Sequence, residues 1–169
     1  MRLSTLASWL DKIGSVHQTE IDLGLDRVKQ VAERLKILTP TPTVIVVGGT
    51  NGKGSTVAGL EAIYLASGYR VGAFTSPILF KHNEYVRVNG CLATDDAFCK
   101  AYSQIEAARG TVSLTPFEYH TLAALLIFQS QLLDVLILEI GLGGRLDAVN
   151  MIDALICLAI SGSSVLEVI

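Results

Sequence analysis

Charge is scarce in this chain: 17% of its 169 residues are Asp, Glu, Lys or Arg, and the formal net charge is −3. So weak and acidic a balance offers no broad attraction for nucleic acid or an anionic membrane surface, and any phosphate site must be local. Cysteine is scarce too. Cys91, Cys99 and Cys157 are odd in number and match no zinc spacing, which argues for reduced thiols in a cytoplasmic protein rather than a disulfide framework. His17, His82 and His120 stand apart, without metal-ligand spacing, and read as surface or core side chains. No Ser-His-Asp order or nucleophile elbow supports hydrolase chemistry. Residues 1–10 hold too short an apolar run for a secretory signal. Residues 121–142 are apolar and long enough to span a bilayer, but Gln129-Ser130-Gln131 interrupts them, and Asp134 and Glu139 follow. A helix, a turn and a buried strand fit that pattern better than a membrane span, so a soluble protein is expected.

What is present is apolar and globular: half the residues are hydrophobic, enough for one domain with a real core and hardly two. There is no repeat or low-complexity tract. Residues 21–38 place Leu25, Val28, Val31 and Leu35 at helical spacing, and Pro40 and Pro42 then deliver the chain into a strand beginning at Thr43. A helix over 57–67, stopped by Gly68, and a second strand over 69–75 follow. The alternation in 84–88 predicts a short exposed strand closed by Asn89-Gly90. Thr94-Asp95-Asp96 caps a helix to about Ala108, another helix covers 116–129, and buried strands are expected at 135–140 and 155–160. Helices alternating with continuous apolar strands predict an α/β fold, a mostly parallel sheet with helices on both faces.

The most informative stretch is Val44-Ile45-Val46-Val47-Gly48-Gly49-Thr50-Asn51-Gly52-Lys53-Gly54-Ser55-Thr56. A strand, a glycine-rich turn and a helix start in that order make a phosphate cradle: glycines let the backbone approach, amide groups point at the anion, and Lys53 adds charge. It departs from the common P-loop spacing, since Gly54 separates Lys53 from Ser55; a turn without ligand is the competing reading. Thr75-Ser76-Pro77 puts a hydroxyl at a strand end, within reach of a hydrated magnesium ion or merely capping a loop. Glu139 ends an otherwise apolar run and is followed by Gly141, Gly143 and Gly144. Burying that carboxylate is costly unless a metal or a cation compensates, Arg145 being the structural alternative. Thr115-Pro116-Phe117-Glu118-Tyr119 reads either as a site or as a capping box with core aromatics. A triphosphate cradle facing an acidic metal ligand suits phosphoryl transfer from ATP to a carboxylate, giving an acyl phosphate that an amine displaces to leave an amide.

These motifs, with Ile21-Asp22-Leu23-Gly24-Leu25 and Arg27, and with Leu138-Glu139-Ile140-Gly141-Leu142-Gly143-Gly144-Arg145-Leu146-Asp147-Ala148, closely resemble the folylpolyglutamate synthase/dihydrofolate synthase family of the Mur-ligase superfamily. The bifunctional bacterial type is nearest, and the likeness runs from about Leu6 to Ala154. It implies a P-loop-type central ATPase domain and an ATP-dependent ligase that adds L-glutamate to dihydropteroate and to reduced folates. By position, Thr50, Asn51, Gly52, Lys53, Gly54 and Ser55 would bind ATP, while Ser76 and Glu139 would hold Mg2+. Lys53 and Glu139 are then the catalytic candidates. Asp22, Leu23, Gly24, Leu25, Thr115, Pro116, Phe117, Glu118, Leu146, Asp147 and Ala148 would line the pterin-substrate pocket. The partners implied are these small molecules, with no nucleic acid or membrane, and the family is usually monomeric.

Three positions depart from the family pattern. Ile78 stands where a histidine follows Ser-Pro, and Tyr85 where an arginine follows Glu. Beyond Ala154 the likeness stops, before a Leu-Asp-His motif whose histidine is a further magnesium ligand. Residues 1–169 are therefore expected to be an incomplete ATP-binding domain, truncated before the C-terminal glutamate-binding domain, and to make no product alone. A non-catalytic nucleotide-binding or interaction module is the alternative. A sibling Mur ligase acting on cell-wall precursors is disfavoured by Asp22-Leu23-Gly24-Leu25 and Phe117-Glu118.

Overall fold

A computed structural model describes residues 5–16, 24–153 and 156–161. Its elements in chain order are α1 (Leu6–Val16), α2 (Asp26–Leu35), β1 (Thr43–Gly49), α3 (Lys53–Ala66), β2 (Val71–Phe74), β3 (Val86–Val88), β4 (Cys91–Leu92), α4 (Asp95–Arg109), α5 (Pro116–Gln129), β5 (Val135–Glu139) and β6 (Ile156–Ser161). The strands form one sheet of six in the order β4-β3-β2-β5-β1-β6. β2, β5, β1 and β6 run parallel, and the β3–β4 hairpin adds antiparallel to the β2 side. The expected mostly parallel α/β architecture is what the chain adopts. No helix among the described residues is long and apolar enough to cross a membrane.

Strand alternation sorts the core into two unequal layers. Val44 and Val46 of β1, Phe74 of β2 and Leu136 and Leu138 of β5 face α1, α2, α4 and α5, forming the large cluster. Ile45, Val47, Val71, Ala73, Val135 and Ile137 face the other way, where α3 covers them with Val57, Leu60, Tyr64 and Leu65. Helices do lie on both faces, but unevenly.

Local signals set several boundaries. The Thr94 side chain accepts from the Ala97 N–H to start α4, and Thr115 does the same for Glu118 at the start of α5. The predicted helix over 21–38 is shorter, ending where Lys36 adopts φ 58° and donates its amide back to Ala32 and Glu33. α1, with Trp9 and Ile13 buried, is an element the sequence reading does not predict: the short apolar run of residues 1–10 serves there only to exclude a secretory signal. The predicted exposed strand over 84–88 needs correction. Residues His82–Tyr85 form a 3-10 turn and only Val86–Val88 pairs, between β2 and β4, with Val86 fully buried. The alternation there reflects a strand packed on both edges.

His120 is a core side chain and His82 is half-buried against it. The Tyr102 hydroxyl lies 2.7 Å from His82 Nε2 and 2.9 Å from His120 Nδ1, and the rings of Tyr85 and Phe98 close around them. Burial pushes His82 down to about 4 and His120 down to about 3. Because these folded-state values lie below the unfolded value near 6.5, the unfolded chain binds more protons between about pH 3 and 6.5. Stability is therefore complete above pH 6.5 and falls on acidification, by up to about 1.4 kcal/mol per pH unit for the buried His120 and by less for the more exposed His82. Urea melts at pH 7, 6 and 5 should show that slope, and His120→Gln should reduce it to the smaller share that His82 contributes.

Candidate functional site

Register brings the site together. Val47 of β1 pairs with Glu139 of β5, and Phe74 of β2 with Leu138, so three parallel strands finish at one edge of the sheet. Such carboxyl edges are where open α/β sheets bind ligands. From β1 the chain turns through Gly49 at φ 140° and Gly52 at φ 80°, backbone that favours glycine, and enters α3 at Lys53. No side chain caps the N-terminus of α3, and Thr50, Asn51, Gly52, Gly54 and Ser55 are exposed. Open amide donors and the positive end of the helix dipole thus meet at the cradle. The Lys53 ammonium donates to the Gly49 carbonyl at 3.0 Å, folded across the loop it would leave to reach an anion.

Glu139 belongs to the same place. Alternation puts it on the α3 face with Val135 and Ile137, and it is 3% exposed. The Ser76 N–H donates to its Oε2 at 3.0 Å. A Cβ on Gly54 would lie 3.9 Å from both carboxylate oxygens, so the cradle runs directly past the acid. Burial raises the Glu139 carboxyl above its ordinary value, opposed by the Ser76 N–H and the charges of Lys53 and Arg87. The alternative partner, Arg145, makes no ion pair with it among the described residues. No group of three or more His, Cys, Asp and Glu side chains among the described residues is arranged to hold a metal. Glu139 and the Ser76 hydroxyl are hard oxygen donors, the set that suits a magnesium ion keeping several of its waters. A buried carboxylate short of positive charge fits such an ion.

The other predicted positions are distributed differently. Asp22 and Leu23 lie outside the described residues; Gly24 and Leu25 lead directly into α2. Thr115 and Glu118 form a reciprocal capping box, with the Thr115 N–H donating to Glu118 Oε2 at 2.7 Å and Pro116 in the first turn. Glu118 Oε1 accepts from Arg27 at 3.3 Å, so both oxygens of this 3%-exposed side chain are engaged. Phe117 packs 5.8 Å from Phe74 and directly over Gly141, where an added Cβ would stand 2.6 Å from its ring. The buried Asp147 accepts amides from Leu142 and Val149 at 2.9 Å and shapes the loop after β5. Ala148 is buried beside it, and Leu146 is exposed. Phe117 and the loop after β5 therefore adjoin the metal-binding candidates, with Glu118 and Asp147 serving as internal ties.

Residue patterns alone missed Arg87 and Glu61. Arg87 Nε donates to Glu61 Oε2 at 2.8 Å and its Nη1 to the Thr75 hydroxyl at 3.2 Å. The signal was available: Glu61 is the single acid of α3 and stands in its apolar stretch from Val57 to Ala66, where burial calls for a cationic partner.

Because burial disfavours the ionised Glu139, Glu139→Gln should leave the metal-free protein as stable as the parent or more so at pH 7. A carboxyl raised on folding penalises the folded state above its unfolded value near 4.5, so the difference should vanish as both carboxyls protonate below that pH. Thermal melts of the two proteins at pH 7 and pH 4 check this.

No family model matches the chain. Over 151 residues it is 53% identical to the dihydrofolate synthase/folylpolyglutamate synthase of Escherichia coli, covering 89% of this chain and 36% of that protein. The Haemophilus influenzae protein of the same description is 51% identical over 151 residues, with 89% and 34% covered. Among solved structures, Escherichia coli FolC in complex with DHPP and ADP superposes with a TM-score of 0.88 at 52% identity, over 91% of this chain and 37% of that one. The bifunctional Yersinia pestis enzyme complexed with AMPPNP and Mn ion gives 0.88 at 51%, over 95% and 39%. The chain spans about a third of the length of the curated relatives it matches.

Proposed function

Since the chain is homologous over nine-tenths of its length to the amino-terminal part of the dihydrofolate synthase/folylpolyglutamate synthases, we propose that it carries the nucleotide- and metal-binding segment of such a ligase. The reaction proposed for the protein of which these residues form that segment joins L-glutamate to dihydropteroate, and to reduced folates, at the expense of ATP. The substrate carboxylate oxygen attacks the γ-phosphorus and ADP leaves. The glutamate amine then attacks the acyl carbon, and phosphate departs with that oxygen. A carboxylate is already a nucleophile at neutral pH, so the first step asks for positioning and charge stabilisation rather than a general base.

One observation carries the reading: the cradle from Thr50 to Ser55, the Ser76 amide and the buried Glu139 converge at one sheet edge. In this proposal the amides at the start of α3 hold the phosphates of ATP and Lys53 swings from the Gly49 carbonyl onto them. Glu139 and Ser76 would hold Mg2+, which when bound supplies positive charge to the phosphates. Phe117, packed on Gly141 beside that edge, would offer an aromatic wall for a pterin ring, and by resemblance Gly24, Leu25, Leu146 and Ala148 would line the same pocket. The names of the relatives, synthases throughout, do not favour a non-catalytic module.

Calorimetric titration of the chain with AMPPNP and Mn2+ tests the proposal. Saturable binding is expected, weakened about tenfold or more in Lys53→Met through loss of a charge-assisted contact to phosphate. Absence of binding by the folded parent, or equal affinity in Lys53→Met, would overturn it.

A further inference from the structure

Glu61 lies inside the cradle helix at 7% exposure. Its Oε2 takes the Arg87 Nε–H, while Oε1 is buried with no hydrogen-bond partner among the described residues. A buried ion pair with an unsatisfied oxygen is a poor device for stability, since an apolar pair of similar volume is often as good or better. Its location suggests another use. Arg87 pairs across the sheet with Ala73, so strand alternation sends both toward α3, on the face that also holds Glu139. From there its Nη1 reaches the Thr75 hydroxyl, which donates to the Glu84 carbonyl at 3.1 Å. The next residue is Ser76, whose amide is on Glu139.

We propose that Arg87 is a positioning residue of the metal-binding side of the site: anchored on Glu61, its guanidinium fixes Thr75 and so the turn that presents Ser76 to Glu139. The cradle helix, through Glu61, and the strand-end turn, through Thr75, are thereby held to one another. Arginine is required because its rigid fork serves two acceptors lying in different directions, which an ammonium on a flexible stem does not. The proposal rests on the nucleotide and metal reading above.

The test measures Mn2+ affinity by electron paramagnetic resonance in the presence of AMPPNP, and metal-free ADP affinity separately, on the full chain. Arg87→Lys keeps the charge and Thr75→Val keeps the shape. Each should weaken Mn2+ binding about 10- to 100-fold, the usual effect of losing a group that orients a metal ligand. Metal-free ADP affinity should stay within about twofold, because the cradle amides are untouched. The double variant should be no weaker than the worse single one, since both changes break one linkage. A third protein, Glu61→Leu with Arg87→Met, replaces the ion pair by apolar side chains and should melt at or above the parent while losing Mn2+ affinity. Parent-like Mn2+ affinity in Arg87→Lys or in this folded double replacement overturns the proposal. So do additive losses, or equal losses of Mn2+ and ADP. A folded parent that binds no Mn2+ with AMPPNP removes the underlying nucleotide reading as well.

Discussion

A carboxylate at the end of a buried parallel strand governs how this edge of the molecule is built. Glu139 continues the apolar run of β5 and has the burial of a core side chain, so its charge must be met by whatever the neighbouring strands deliver. β1 delivers Lys53 and the bare start of α3; β2 delivers the Ser76 amide; β3 delivers Arg87. Each of these lies where strand register puts it, and each would be differently disposed if β5 were shifted by one residue, which would exchange the faces of the whole strand. Burial outweighs these contributions and leaves the Glu139 carboxyl above its ordinary value.

The local grammar of the fold was legible. The strand–glycine turn–helix passage of the cradle, the Thr94 cap and the limits of α5 follow from signals a few residues apart. The role of Glu118 was legible as two alternatives, and the capping box is present together with the pairing to Arg27. What could not be read is what sequence distance hides. Arg27 and Glu118 are 91 residues apart, and Arg87 and Glu61 are 26 apart; nothing in either neighbourhood names the other. The same holds for the Tyr102 hydroxyl between His82 and His120, which were expected only as isolated side chains. α1 was lost for a simpler reason, its stripe being short and its partners distant.

Tyr85, where the pattern this chain resembles has an arginine, has a physical account in the packing. Its ring stacks on Phe74 with centroids 5.9 Å apart and lies 4.8 Å from His120 and 5.2 Å from His82. In so aromatic a surround, beside histidines that burial keeps neutral, a phenol is accommodated more easily than a guanidinium would be. That cluster also ties the turn before β3 to α4 and α5. Nothing in the packing explains Ile78.

The uneven burial of the two sheet faces bears on how the protein opens. Among the described residues four helices guard one face, whereas α3 alone covers the other, over a much smaller apolar cluster. The cradle helix is therefore secured by the weaker half of the core, and the free energy needed to lift it locally is lower than that for global unfolding. A ligand bound as proposed at its first turn would add its binding free energy to that same weak contact. With a nucleotide bound as proposed, occupancy and local rigidity would be one equilibrium, the ligand stiffening the helix that holds it.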